Sequence, residues 1–169
     1  TFPNGDFTIS LWILKYPSPL NNDPRILGVG ESGLIFNQNS GSIKVYMGLG
    51  LDSYTNSISE NEWAHITFSN NGSVGKSSFY INGILTHQRV SDASLRIVTV
   101  PSANWEIGRK SISAYNGFGG KIDDFGMWNR ALTEQEIQQL YSGESYSYAW
   151  SPTNETTSSI TVNPTENTT

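Results

Sequence analysis

Two glycine-rich stretches gather the residue types that hold a sugar. Asp52, Tyr54 and Asn56 lie within residues 48–57, and Arg109, Tyr115 and Asn116 lie within residues 108–120. A sugar ring has an apolar C–H face that an aromatic side chain can cover, and a rim of hydroxyls that amides and carboxylates can hold. Arg109 is followed by Lys110, a pair of donors suited to a sulfated or uronic sugar. Glycine and asparagine favour irregular backbone, so both stretches are expected to be loops.

Groups able to carry out catalysis are sparse. The close glutamate pairs are Glu60/Glu62, before an apolar run, and Glu134/Glu136, at the start of a helical pattern where negative charge has a structural use. His65 and His87 stand far apart, with no nucleophile motif around either. His65 follows Trp63 and Ala64. No cysteine is present, which removes disulfides, thiolate metal sites and a cysteine nucleophile. The chain reads as non-enzymatic.

The elements that must position these residues are mostly short strands. Phe7, Ile9, Leu11 and Ile13 alternate with Thr8, Ser10, Trp12 and Leu14, and this period of two marks a strand. Trp12 is assigned to the core. Further strands are expected at 26–29, 34–36, 42–47, 63–68, 95–100 and 105–107. Residues 77–81 and 84–88 flank Asn82-Gly83, a dipeptide suited to a type I′ hairpin turn. Residues 16–24, with three prolines, form a loop.

One helix closes the pattern. Thr133 and Glu136 are spaced as a capping box, Leu132 and Ile137 as a hydrophobic staple, and Gly143 is a natural stop. Ile137, Leu140 and Tyr141 share one face, which two turns of helix must pack on a sheet to be stable. About ten strands with hairpin punctuation and one terminal helix predict an all-β fold, a two-sheet antiparallel jelly-roll sandwich.

The segment Gly120-Lys121-Ile122-Asp123-Asp124-Phe125-Gly126-Met127-Trp128-Asn129-Arg130-Ala131-Leu132, running on to Tyr141, resembles the closing strand and helix of laminin-G-like, concanavalin A-like jelly-roll domains. Residues 7–13 resemble their early core strand, and residues 62–67 with 79–85 their central hairpin, where the family's pattern has His65 follow a core tryptophan, Trp63, and so implies a structural role for it. The likeness spans residues 2–143 and places a LamG-like domain at 1–144; the family's usual strand upstream is not matched here.

The resemblance implies a lectin-like binding module. It also implies a structural calcium ion at Asp123, with the start of the first strand at Asp6 contributing oxygen, since hard cations take oxygen ligands. Asp123 serving as a backbone cap is the competing reading. Glucanases of this fold carry a Glu-x-Asp-x-x-Glu strand, which is missing from this sequence.

Residues 145–169 change in character, being rich in Ser, Thr, Asn and Pro. Residues 148–165 resemble the opening of immunoglobulin-like repeats found in secreted and cell-surface bacterial proteins. They are read as a linker or the start of a second, Ig-like module, within a longer multidomain chain.

Composition restricts the partners. Net charge is −5 and the ten Lys and Arg residues are scattered apart from Arg109-Lys110, so no phosphate-neutralising face is available for nucleic acid. No apolar run is long enough to span a bilayer. The resulting expectation is a non-catalytic, extracellular or cell-surface module that binds a polysaccharide or glycan, as part of a secreted enzyme or a surface adhesin. The alternative is a structural or protein–protein adhesion domain whose partners are other surface proteins.

Overall fold

The computed structural model describes residues 6–17, 25–29, 34–39, 42–47, 50–90, 105–108 and 117–143; over 29, 34–39, 42–47, 50–57 and 105 the description is of the backbone. Ten strands form two antiparallel five-stranded sheets. The first has the order β10 (Gly120–Trp128), β1 (Phe7–Lys15), β6 (Trp63–Asn71), β7 (Lys76–Ile81), β8 (Ile84–Val90). The second runs β5 (Gly50–Ser57), β4 (Ser42–Met47), β3 (Leu34–Asn39), β2 (Arg25–Val29), β9 (Trp105–Ile107). Among the described residues the one α-helix is α1 (Glu134–Ser142). This is the jelly-roll sandwich expected from the strand pattern.

Alternation decides which side chains enter the core. Phe7, Ile9, Leu11 and Ile13 of β1 are buried with Ala64, Ile66 and Phe68 of β6, Phe79 of β7, and Ile26 and Leu27 of β2. Phe118 and Ile122 close this cluster beside β10. The other face of the first sheet is also covered. Thr8, Ser10, His65, Thr67 and Ser69 are buried there although polar, beneath residues 129–133 and α1.

The cover is fastened by the signals visible in the sequence. Thr133 Oγ1 accepts the Glu136 amide at 3.3 Å, and Glu136 Oε2 accepts the Thr133 amide at 2.8 Å, completing the capping box. Arg130 grips the same carboxylate with both guanidinium nitrogens, at 2.6 and 2.8 Å, and that grip pulls Glu136 down to a pKa of about 2. Leu132 and Ile137 pack together with Tyr80. Gly143 ends the helix in the left-handed region.

Asn82 and Gly83 both take positive φ, 51° and 73°, as a type I′ turn requires. The Asn82 side-chain oxygen accepts the His65 amide at 2.9 Å, which pins the hairpin to β6.

Two expectations differ from the structure. Residues 50–57, read as part of a loop, form strand β5; Met47 pairs with Gly50 and Ser42 with Ser57. The pairing satisfies backbone groups that β4 would otherwise leave open, and Tyr54 and Thr55 are strand-favouring types. Trp12, assigned to the core, lies half-buried on the helix side, since it alternates with the inward Leu11 and Ile13. The strand expected at 95–100, most of the loop at 16–24 and all of 145–169 lie outside the described residues.

A Cβ at Gly83 would meet the Tyr141 ring at 3.2 Å in a backbone conformation that L side chains rarely adopt. Gly83→Ala is therefore expected to cost about 1–3 kcal/mol, measured as a lower urea midpoint with an unchanged slope.

Candidate functional site

Where α1 stops short of the β8 edge, the outer face of the first sheet opens into a cleft of about 170 Å³. Its floor follows from strand periodicity. Ser69 and Asn71 of β6, Lys76, Ser78 and Tyr80 of β7, and Leu85 and Gln88 of β8 all point to this side, and the register pairs Ser69 with Ser78, Asn71 with Lys76, and Ser78 with Gln88. A bulge at Thr86, whose hydroxyl donates to the Phe79 carbonyl at 3.0 Å, shifts Leu85 opposite Tyr80. The wall is Ala131–Glu134, the corner that leads into α1.

The chemistry of this cleft is mixed. Gln88 Nε2 donates to Ser78 Oγ at 3.2 Å, which fixes the amide. Tyr80 is largely buried, and desolvation pushes its phenol above the usual range, with the Glu134 carboxylate adding to the shift. Among the described residues neither Lys76 nor Glu134 takes part in an ion pair, unlike Lys15 with Glu60 and Arg130 with Glu136. Glu134 is the one carboxylate among the described lining residues. The arrangement can hold hydroxyls, an anionic group and a cationic group; it does not offer the two facing carboxylates of a glycosidase.

A second cluster lies under the other end of α1. Thr67 donates to Ser10 Oγ at 3.1 Å, and Ser10 Oγ is 2.6 Å from His65 Nε2. With Ser10 receiving from Thr67 and donating onward, His65 carries its proton on Nδ1, which has no partner. Trp12 stacks on Tyr141 at 5.7 Å and tilts against His65 at 5.1 Å. Burial lowers the His65 pKa to about 4, against a smaller opposing pull from Asp124. The Ser10–His65 pair resembles a nucleophile and its base, yet both are sealed beneath the helix, at 2% and 3% exposure. It is a packing network, in keeping with the structural reading of His65.

The residues singled out in the sequence scatter. Asp52, Tyr54 and Asn56 belong to the edge strand β5 of the second sheet, with Asp52 opposite Val45 and Asn56 opposite Ile43. Arg109, Tyr115 and Asn116 lie outside the described residues.

Asp123 pairs with Trp12, six residues and therefore about 20 Å along β1 from Asp6, so these two carboxylates do not form one site. Each has a local task. Asp123 Oδ1 accepts the Asp124 amide at 2.9 Å, where Asp124 bulges with φ 47°; Asp6 accepts the Ser73 amide and hydroxyl, both at 3.2 Å. Among the described residues no group of three or more His, Cys, Asp or Glu could hold a metal ion, and the proposed Asp6–Asp123 set does not fit one.

The cleft residues Lys76, Ser78 and Gln88 were not singled out. The alternation of Lys76, Ser78 and Tyr80 puts them on one sheet face, but the covered part of that face is polar as well, so polarity did not mark where the cover ends. What hid them was ignorance of where the helix would end.

Comparison with known proteins agrees on architecture. The profile of a family described as the concanavalin A-like lectin/glucanases superfamily matches residues 1–138. No curated protein matches the chain. Among solved structures, a heptameric SAP-like pentraxin from Limulus polyphemus is similar with a TM-score of 0.62 at 15% identity, over 82% of this chain and 70% of that one. A protein proposed to bind carbohydrate from Bacteroides ovatus gives 0.67 at 21%, over 82% and 42%. The binding domain of Paraclostridial Mosquitocidal Protein 1 gives 0.64 at 22%, over 82% and 37%. The chain thus spans less than half of the last two. At these identities the likeness is one of fold.

Because His65 binds its proton more weakly folded than unfolded, the unfolded chain takes up protons first as pH falls from 6.5 towards 4, and stability declines through that window. The loss is on the order of 3 kcal/mol. His65→Gln should flatten that part of the profile relative to the parent, as urea midpoints between pH 4 and 7 will show.

Proposed function

The chain belongs to the concanavalin A-like lectin/glucanases superfamily, and from that premise we propose that it is a non-catalytic extracellular module that binds a glycan in the cleft beside α1. The observation that carries the proposal is the cleft's lining, where hydroxyls and an amide, an ammonium and a carboxylate share one groove with Tyr80 and Leu85. Specific sugar sites combine a few fixed polar groups with an apolar surface in this way. A cavity of about 150 Å³ accommodates a benzene-sized molecule, so 170 Å³ suits one sugar unit of a longer chain. A single lining carboxylate supports binding rather than hydrolysis.

Location and context complete the proposal. No helix among the described residues is long and apolar enough to cross a membrane, and domains of this type suit the outside of a cell, as targeting modules of secreted enzymes or parts of surface adhesins. Residues 145–169 would connect it to the rest of such a protein, as a linker or the first part of an Ig-like module. Calcium enters the proposal at Asp123 alone, without Asp6. If Asp123 is a ligand, Asp123→Ala lowers the melting temperature more in calcium than in chelator; equal losses make it a cap for Asp124, the outcome its hydrogen bond favours.

Binding is checked by affinity electrophoresis through gels containing algal, plant and microbial polysaccharides. Lys76→Ala and Gln88→Ala should each weaken retardation about tenfold with an unchanged melting temperature. If Tyr54→Ala or Tyr115→Ala abolishes retardation instead, the glycan seat is on β5 or in residues 108–120. If no polysaccharide retards the protein, the structural or adhesive role takes precedence.

A further inference from the structure

The cleft carries one ammonium and one carboxylate, both exposed, and exposed charges pair only where geometry brings them together. Lys76 and Glu134 do not pair: both line the cleft, neither makes an ion pair, and no other described charge neutralises either one. Their placement explains the gap. Glu134 stands on the wall, close enough to Tyr80 to raise that phenol's pKa, while Lys76 lies four residues from Tyr80 along β7, about 13 Å away. The two charges therefore mark opposite ends of one groove, with Ser78 and the fixed Gln88 amide between them.

We propose that the cleft selects a zwitterionic glycan, one whose neighbouring units carry an anionic group and an unsubstituted amine: the anion would meet the Lys76 ammonium, the amine would meet the Glu134 carboxylate, and ring hydroxyls would bind Ser78 and Gln88. The inference rests on the glycan-binding proposal and gives that ligand a charge pattern. Charge complementarity is its basis. A neutral sugar gives neither charge a partner, and a purely anionic one brings repulsion to Glu134 in a protein of net charge −5. A peptide with free termini has the same two charges, but it offers the central hydroxyl and amide groups fewer hydroxyl partners.

The test is calorimetric titration of the whole chain with one oligosaccharide backbone of alternating uronic acid and glucosamine in four forms: both charges free, amine acetylated, carboxyl reduced, and both blocked. The zwitterionic form should bind at least about tenfold more tightly than either singly charged form. Lys76→Met should erase the preference for the free carboxylate, and Glu134→Gln the preference for the free amine. Lys76→Arg should retain binding, and thermal melts confirm that each variant is folded. Equal binding of all four forms overturns the charge pattern and leaves glycan binding standing. Binding of none of the four, together with no polysaccharide retarding the protein in gels, overturns both. Tighter binding of a dipeptide with free termini replaces the glycan by a peptide.

Discussion

One threonine hydroxyl ties the two ends of this domain together. Thr8 Oγ1 donates to the Arg130 carbonyl and accepts the Leu132 amide, each at 2.9 Å, across more than 120 residues of sequence. It lies in the middle of a sheet face that is buried yet polar, and such a face is stable only when its hydroxyls have partners. The corner before α1 supplies them. Ser69 stands 3.2 Å from the Thr8 hydroxyl and donates weakly to the Leu132 carbonyl, so the corner is held by β1 and β6 together. With the corner fixed, Arg130, the capping box and the Leu132–Ile137 staple set the direction of the helix.

That direction determines the cleft. A helix of nine residues spans about 13 Å, too short to cover all five strands. Its C-terminal end rests on Trp12, His65 and Gly83; its start leaves the β7–β8 side uncovered. The same shortfall leaves the side chains of Lys76, Ser78 and Gln88 free of the helix. Recognition and packing are thus neighbours on one sheet face, and the helix marks the border between them.

Much of this was legible in the sequence because it depends on local chemistry. The period of two in residues 7–14, the Asn82-Gly83 turn and the Thr133/Glu136 box each specify their own geometry within a few residues. What could not be read depends on distant partners. Residues 50–57 became a strand through pairing with β4, a choice invisible in their glycine and asparagine content. Asp6 and Asp123 looked like a pair through family resemblance, and register puts them far apart. The cleft lies at the meeting of three strands with a corner over 40 residues further along the chain, and no window of sequence contains it.

The antiparallel pairing of β1 with β10 has a bearing on the order of assembly. β1 is the first described strand to leave the ribosome and has apolar residues on its inward face, yet one of its two neighbours, β10, is the last of the described strands to follow it. Closing a loop of that length costs chain entropy before any contact returns it, and folds dominated by such distant pairings form slowly. Until β10 arrives, β6 can shield only one edge of β1, and the hydroxyls of Thr8 and Ser10 still lack their cover. The nascent chain therefore carries an open sheet edge over the roughly 100 residues that separate β1 from β10, and the polar character of the outer face, with Thr8, Ser10, Thr67 and Ser69 in place of valines, keeps that face wettable while it waits.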